Sequence, residues 1–243
     1  MAARIRLSLI PGTQCDERLW GRLVPALQRL GAVGGRQYEC EFVPVQQARS
    51  RVEMQSMIAA AHQPDRACHV VGFSMGAYLA MEHTLAQPEA VTSLVAIAGS
   101  PRGFGERVVA ARLRTVEALR RGRYAGIPAA RLRKFVNTGV DDPDVGGVVR
   151  AMDADLGKDV LVTQFAEMSY RDDLVPRLAE ISCPFAVVGS SQDHITHPDE
   201  FHMTAKRAGC ELHMIDNGAG HMLPLEAPNE LAAILDDFYA RHN

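Results

Sequence analysis

Six short apolar runs rich in strand-forming residues, at 5–10, 38–43, 67–73, 93–98, 185–189 and 211–215, alternate along the chain with longer stretches of helical periodicity. Three of them, around Ile10, Val71 and Val188, are nearly unbroken apolar stretches. A strand covered by helices on both faces needs that pattern, whereas a strand with one wet face alternates. Strand–helix alternation implies parallel pairing with right-handed crossovers, and so an α/β fold with a parallel sheet of about six strands between helix layers. In the first connection Leu19, Leu23, Leu27 and Leu30 recur at helical spacing, with Asp16 expected as N-cap, a kink at Pro25 and a stop at Gly31. A second helix is expected over 75–86, ending before Pro88, and a last one from Pro228 to about Tyr239.

The alternation lapses once. More than 80 residues from Pro101 to Pro184 carry helical patterning and no strand, far beyond an ordinary strand–helix connection. The expected organisation is a core of residues 1–100 and 181–243, with 101–180 inserted as a helical cap. Residues 101–150 hold ten Arg and one Lys against two Glu and three Asp. Such a surplus fits either a solvated helix surface or a basic rim that attracts an anionic substrate.

Composition narrows the partners. With 26 Lys and Arg against 29 Asp and Glu, no overall basic field exists to hold nucleic acid or anionic lipid. Every apolar stretch is broken before the roughly 18 residues a membrane helix needs. The apolar run ending at Pro11-Gly12 is too short for a signal-peptide core, so the expected location is the cytoplasm. Five cysteines, an odd number with no C-x-x-C, read as reduced thiols rather than a disulfide framework or zinc ribbon.

Chemistry enters at Gly72-Phe73-Ser74-Met75-Gly76. A G-x-S-x-G pattern alone is weak, but this one follows a strand and opens a helix, the setting of a nucleophile elbow. The glycines let a strained turn close, and the helix N-terminus favours negative charge at the serine. A glycine-rich turn with an N-capping serine is the plainer alternative. A serine nucleophile requires a basic histidine and an orienting acid. Of nine histidines, His221 stands out, in Gly218-Ala219-Gly220-His221 just after the last strand. Asp193 follows the fifth strand at its carboxyl end; Asp172, Asp173, Asp199 and Asp216 are rivals. The order Ser74, Asp193, His221 is that of the α/β-hydrolases and of neither major protease class. Two backbone donors for a developing oxyanion are expected at Met75 N–H and Thr13 N–H, the latter in the loop after the first strand.

The chain resembles the α/β-hydrolase superfamily nearly end to end, through Ile10-Pro11-Gly12 with Trp20, the Ser74 elbow, Cys183-Pro184 leading to Gly189, Asp193 and Pro198, and Gly220-His221 followed by Glu226 and Pro228. The resemblance implies nucleophile, acid and base at Ser74, Asp193 and His221, and a helical cap at the insertion. Two departures are visible: Pro11-Gly12 replaces the usual His-Gly, and the sequence opens directly on the family's third strand, so a sheet of six parallel strands without the first antiparallel hairpin is expected. A serine at the elbow excludes relatives that use aspartate or cysteine there. The implied activity is cofactor-free serine hydrolysis of a small ester or thioester. The alternatives are a triad-dependent lyase or C–C hydrolase acting on an anionic small molecule, and a non-catalytic ligand sensor. His194-x-x-His197, beside Asp193 and His202, is a weak metal pattern that Pro198 argues against, so no metal is expected. Cys15 is read as a passive thiol near the oxyanion loop.

Overall fold

A computed structural model of the chain describes residues 2–62 and 68–242. Its strands are β1 (Ala3–Ile10), β2 (Arg36–Phe42), β3 (Cys68–Phe73), β4 (Val91–Ile97), β5 (Phe185–Ser190) and β6 (Glu211–Ile215). They form one sheet in the order β2-β1-β3-β4-β5-β6, parallel at every pairing. Each expected run overlaps a strand, with Val43 and Ala98 one residue past the end of theirs; Ala67 is outside the described residues. The helices are α1 (Leu23–Val33), α2 (Arg51–Ala61), α3 (Met75–Ala86), α4 (Glu106–Arg121), α5 (Ala129–Phe135), α6 (Val148–Met168), α7 (Pro198–Ala208), α8 (Leu223–Glu226) and α9 (Pro228–His242). Helices α4, α5 and α6 occupy the long stretch between β4 and β5.

Side-chain alternation along the strands feeds two cores. Leu7, Leu9, Val71, Phe73, Val95, Ile97, Ala186 and Val188 face one side, against Leu23 and Leu27 of α1 and Leu231, Leu235 and Phe238 of α9. Val70, Leu94, Ala96, Phe185 and Val187 face the other, against Met54 and Ile58 of α2, Tyr78 and Leu79 of α3 and Phe201 of α7. Burying an aliphatic or aromatic side chain of this size stabilises the fold by about 1.5–3 kcal/mol each. Both faces are dry, which is why the central strands are continuously apolar. Among the described residues, no helix is long and apolar enough to cross a membrane.

The strand order also fixes where a ligand can enter. After β1 the chain moves outward to β2, then returns past β1 to build β3 to β6 on the other side. The loops after β1 and β3 therefore diverge to opposite faces, leaving a crevice at the carboxyl edge between them, the usual ligand position in open α/β sheets. Thr13 and Ser74 lie in those two loops.

The first helix differs from expectation. Asp16 caps a separate 3-10 turn, Glu17–Trp20, by accepting from Arg18 N, and α1 begins only at Leu23. Pro25 then falls in the first turn, where its missing N–H costs nothing, so it kinks nothing. Gly31 does not stop the helix either, because α1 continues to Val33 and is capped by Gly34. A Cβ at Gly31 would lie 2.6 Å from the Tyr38 ring; the glycine lets α1 pack closely on β2. The last helix runs three residues past Tyr239, to His242.

Two buried imidazoles predict acid lability. His62 ends α2 and His83 sits on α3, with ring centroids 5.0 Å apart. Burial pulls both down to about 4, and for His62 the neighbouring His83 charge adds to the effect. An unfolded imidazole titrates near 6.5, so between pH 6.5 and 4 the unfolded chain binds protons that the folded chain refuses. Stability is intact above 6.5 and declines through that window, by up to about 3 kcal/mol per ring. Thermal unfolding of the wild type should show a steeper Tm loss from pH 6.5 to 4.5 than His62→Gln/His83→Gln; equal slopes would contradict this.

Candidate active site

Ser74 lies between β3 and α3 at φ 54° and ψ −112°. A non-glycine residue there carries strain of about 1–3 kcal/mol, held only by its surroundings. Those surroundings are specific. Ser74 N donates to Ile97 O at 2.8 Å, and a Cβ at Gly76 would meet Ile10 O at 2.2 Å. The glycine thus lets α3 start directly against the end of β1. Ser74 occupies the N-cap position of α3, yet its side chain makes no capping hydrogen bond. The plainer reading of this serine, as a cap, fails. Its Oγ lies 3.0 Å from Nε2 of His221 instead.

Nδ1 of His221 is 2.7 Å from Oδ2 of Asp193. A carboxylate oxygen only accepts, so Nδ1–H donates to it and Nε2 is left to accept from the Ser74 hydroxyl. The other Asp193 oxygen, Oδ1, accepts from Ile195 N at 2.7 Å and Thr196 N at 2.9 Å. His221 and Asp193 are 1% and 4% exposed, so their contact is shielded from water. An imidazole so held can take a proton from Ser74 while the carboxylate stabilises the resulting cation. The Phe73 and Phe135 rings pack on His221, with centroids at 5.2 and 5.9 Å. The rival acids lie elsewhere: Asp172 faces Arg51, Asp173 accepts from Val175 N, Asp199 lies against His197, and His221 bonds Asp193. Three other histidines bond elsewhere, His69 with Ser93 and His213 and His242 with Glu211, and His197, which lines the cavity, lies against Asp199.

The His221 loop is tied to the long insertion. His221 N and Met222 N donate to Phe135 O at 3.0 and 3.2 Å. Glu226 accepts from Asn137 N and Thr138 N at 2.8 Å, and from Met222 N at 3.1 Å. Glu226→Ala leaves three amides without this acceptor, and should lower stability by about 1–3 kcal/mol. With the imidazole less firmly held, kcat should fall about tenfold, with partial rescue by Glu226→Gln. Thermal unfolding and ester kinetics on the two variants check this; an unchanged Tm would contradict it.

Met75 is the first residue of α3, so its N–H has no intrahelical acceptor. The Thr13 side chain reaches Met75 Sδ at 3.6 Å, so the loop after β1 adjoins the elbow. That loop is fastened to α6 by a network of buried groups that local sequence patterns do not disclose. Gln14, at φ 54°, donates from its backbone to Gln164 Oε1 at 2.9 Å. Its side-chain amide reaches Gly157 O at 3.0 Å and Asp153 Oδ1 at 3.3 Å. The Gly157 carbonyl is freed because α6 breaks there, at φ 69° and ψ −172°. Asp153 also accepts from Tyr124 Oη and from Ile127 N. Gln14 is adjacent to a residue the sequence singles out, but its partners lie 139 to 150 positions away.

Ser74, His221, Thr13 and Met75 open onto a cavity of about 470 Å3, walled by side chains of α4, α5 and α6. Cys15 lines it too, but burial, with Asp16 nearby, pushes its thiol up to about 12, which makes it a poor nucleophile. Among the described residues, no three His, Cys, Asp or Glu side chains are grouped to hold a metal ion.

Residues 9–234 match the family described as the alpha/beta hydrolase family. No curated protein sequence matches the chain. Among solved structures, a thermophilic esterase from Thermogutta terrifontis superposes with a TM-score of 0.81 at 18% identity, over 100% of this chain and 92% of that one. An enol-lactonase from Burkholderia xenovorans gives 0.78 at 15% identity, over 98% and 92%. A lipase-esterase related protein from Clostridium acetobutylicum gives 0.75 at 16% identity, over 98% and 95%. At such identities the likeness is one of fold.

Proposed function

The chain belongs to the alpha/beta hydrolase family, and from that premise we propose that it is a cofactor-free serine hydrolase of small esters or thioesters. The observation that carries this reading is the Ser74 hydroxyl, which leaves its own helix uncapped and lies 3.0 Å from the His221 Nε2 lone pair. In the proposed cycle His221 Nε2 takes the Ser74 proton as Oγ attacks the acyl carbon. The negative charge passes to the former carbonyl oxygen, which accepts from the N–H groups of Met75 and Thr13. Collapse expels the alcohol or thiol, which leaves with the proton from His221, and an ester now joins the acyl group to Ser74. Water then attacks that ester while His221 takes its proton, and the acid departs as the proton returns to Ser74. Asp193 fixes the tautomer and orientation of the ring throughout. Residues 101–180 act as a cap, whose helices α4, α5 and α6 wall the cavity and whose Phe135 carbonyl, accepting from His221 N, and Asn137 N–H, donating to the Glu226 carboxylate, hold the His221 loop. Excluding water from such a site strengthens the electrostatic stabilisation it can give.

Rapid-mixing kinetics with p-nitrophenyl esters and acyl thioesters of graded length test the reading. A burst of released p-nitrophenol or thiol, equal to the enzyme concentration and followed by slower steady turnover, is the expected result. Steady cleavage of a C–C bond with no burst on any ester would favour the lyase alternative, with His221 as base and Ser74 unacylated.

A further inference from the structure

Four arginines, Arg102, Arg112, Arg131 and Arg171, line the cavity beside Ser74, against two carboxylates, Asp153 and Glu200. Both carboxylates are engaged. Glu200 takes the Arg102 guanidinium at 2.9 Å and the Ser100 hydroxyl at 3.0 Å, and Asp153 is held by Gln14, Tyr124 and Ile127 N. Arg171 is committed as well, donating to Arg102 O and Ser100 O between the rings of Tyr78 and Phe104. Arg112 and Arg131 remain. Neither has an ion-pair partner among the described residues, and both guanidinium groups flank the Phe165 ring, 4.2 and 6.0 Å from its centroid. Arg112 donates from Nε to Ser169 Oγ at 3.1 Å and, at the 3.5 Å limit, from one terminal nitrogen to Phe165 O, while the Arg131 fork makes no hydrogen bond among the described residues.

We infer that Arg112 and Arg131 form a seat for an anionic group, a carboxylate or a phosphate, carried by the acyl chain of the substrate. Two like charges held near one ring without a counter-ion are unfavourable, and an anion between them relieves that cost while gaining charge-assisted, fork-matched hydrogen bonds. Desolvation and the nearby Arg131 charge pull the Arg112 guanidinium down to about 10, the direction expected of a cation awaiting a partner. The same cavity holds Ser74 and is lined as well by Phe104, Ile127, Leu161, Phe165 and Met168, apolar side chains that suit a methylene chain. The seat also reaches solvent. Arg112, Arg131 and Phe165 line a second, open hollow of about 380 Å3, where Arg107 adds another guanidinium. The inference rests on the proposed hydrolase reading and adds a substrate class to it.

The test has two arms. In the first, mono-p-nitrophenyl adipate is compared with its neutral, methyl-capped diester. The anionic ester should have kcat/KM about 10–100-fold higher, a preference that weakens as sodium chloride rises. Arg131→Gln, an exposed side chain, should reduce the ratio, and Arg112→Gln/Arg131→Gln should bring it close to one. In the second, adipate and inorganic phosphate are titrated calorimetrically into Ser74→Ala, with and without Arg131→Gln. Binding of either anion that is weakened by Arg131→Gln upholds the seat even where no ester is turned over, an outcome that would remove only the hydrolase reading; the tighter of the two identifies the group. Equal turnover of both esters with no binding of either anion would overturn the seat. A preference that survives both arginine variants would also overturn it.

Discussion

Ser74→Ala should lower kcat for any ester substrate by about 10^6-fold, to a residue of catalysis supplied by binding and oxyanion donors alone. The variant removes the oxygen that lies 3.0 Å from His221 Nε2 and leaves the rest of the site intact. KM should change little, because apart from the lost hydroxyl the cavity lining, including the walls from α4, α5 and α6, is untouched. The fold should persist as well. The strained backbone at Ser74 is held by its bond to Ile97 O and by the close approach at Gly76, neither of which involves the hydroxyl. Steady-state kinetics with matched circular dichroism checks both parts. Residual activity within tenfold of the wild type would assign the chemistry elsewhere.

Asp193→Asn should cost about 10^4-fold in kcat, again with KM almost unchanged. Asp193 accepts at both oxygens, from His221 Nδ1 on one side and from the Ile195 and Thr196 amides on the other. An asparagine must aim its NH2 one way or the other. Facing Ile195 and Thr196, it sets donor against donor in a buried place. Facing His221, it forces the lone pair to Nδ1 and the proton to Nε2, the tautomer that cannot accept from Ser74. Asp193 does not line the cavity, so a rise in KM with kcat preserved would contradict its role as the orienting acid.

Much of this was legible in sequence because it is encoded locally. Short apolar runs, nearly unbroken where both faces of the sheet are dry, located the strands, and the G-x-S-x-G between a strand and a helix placed Ser74 at its turn. Asp193 and His221 followed because each leaves the carboxyl end of a later strand, and parallel pairing brings those ends to one edge. The misreadings have equally physical sources. Gly31 and Pro25 carry breaker signals that the geometry does not use: one permits close packing on Tyr38, and the other sits in a first turn. The break of α6 at Gly157 is invisible beforehand, because a lone glycine inside a helical pattern is usually tolerated. The fastening of the oxyanion loop through Gln14, Asp153 and Gln164 joins segments far apart in the chain, and no local pattern discloses it. The basic stretch 101–150 was readable as charge, but not as direction. Only its packing separates Arg112 and Arg131, at the cavity, from Arg121, which pairs with Glu117 on the surface.

The role of Ser74 as nucleophile is tested most directly by covalent capture. A fluorophosphonate probe incubated with the folded protein should add one phosphonyl group per chain, on Ser74, with loss of esterase activity in step with labelling. His221→Ala should slow that labelling sharply, since the hydroxyl then has no base, and Ser74→Ala should abolish it. Intact-mass spectrometry with peptide mapping reads all three. Failure of the folded wild type to label, or a label that persists in Ser74→Ala, would contradict the assignment.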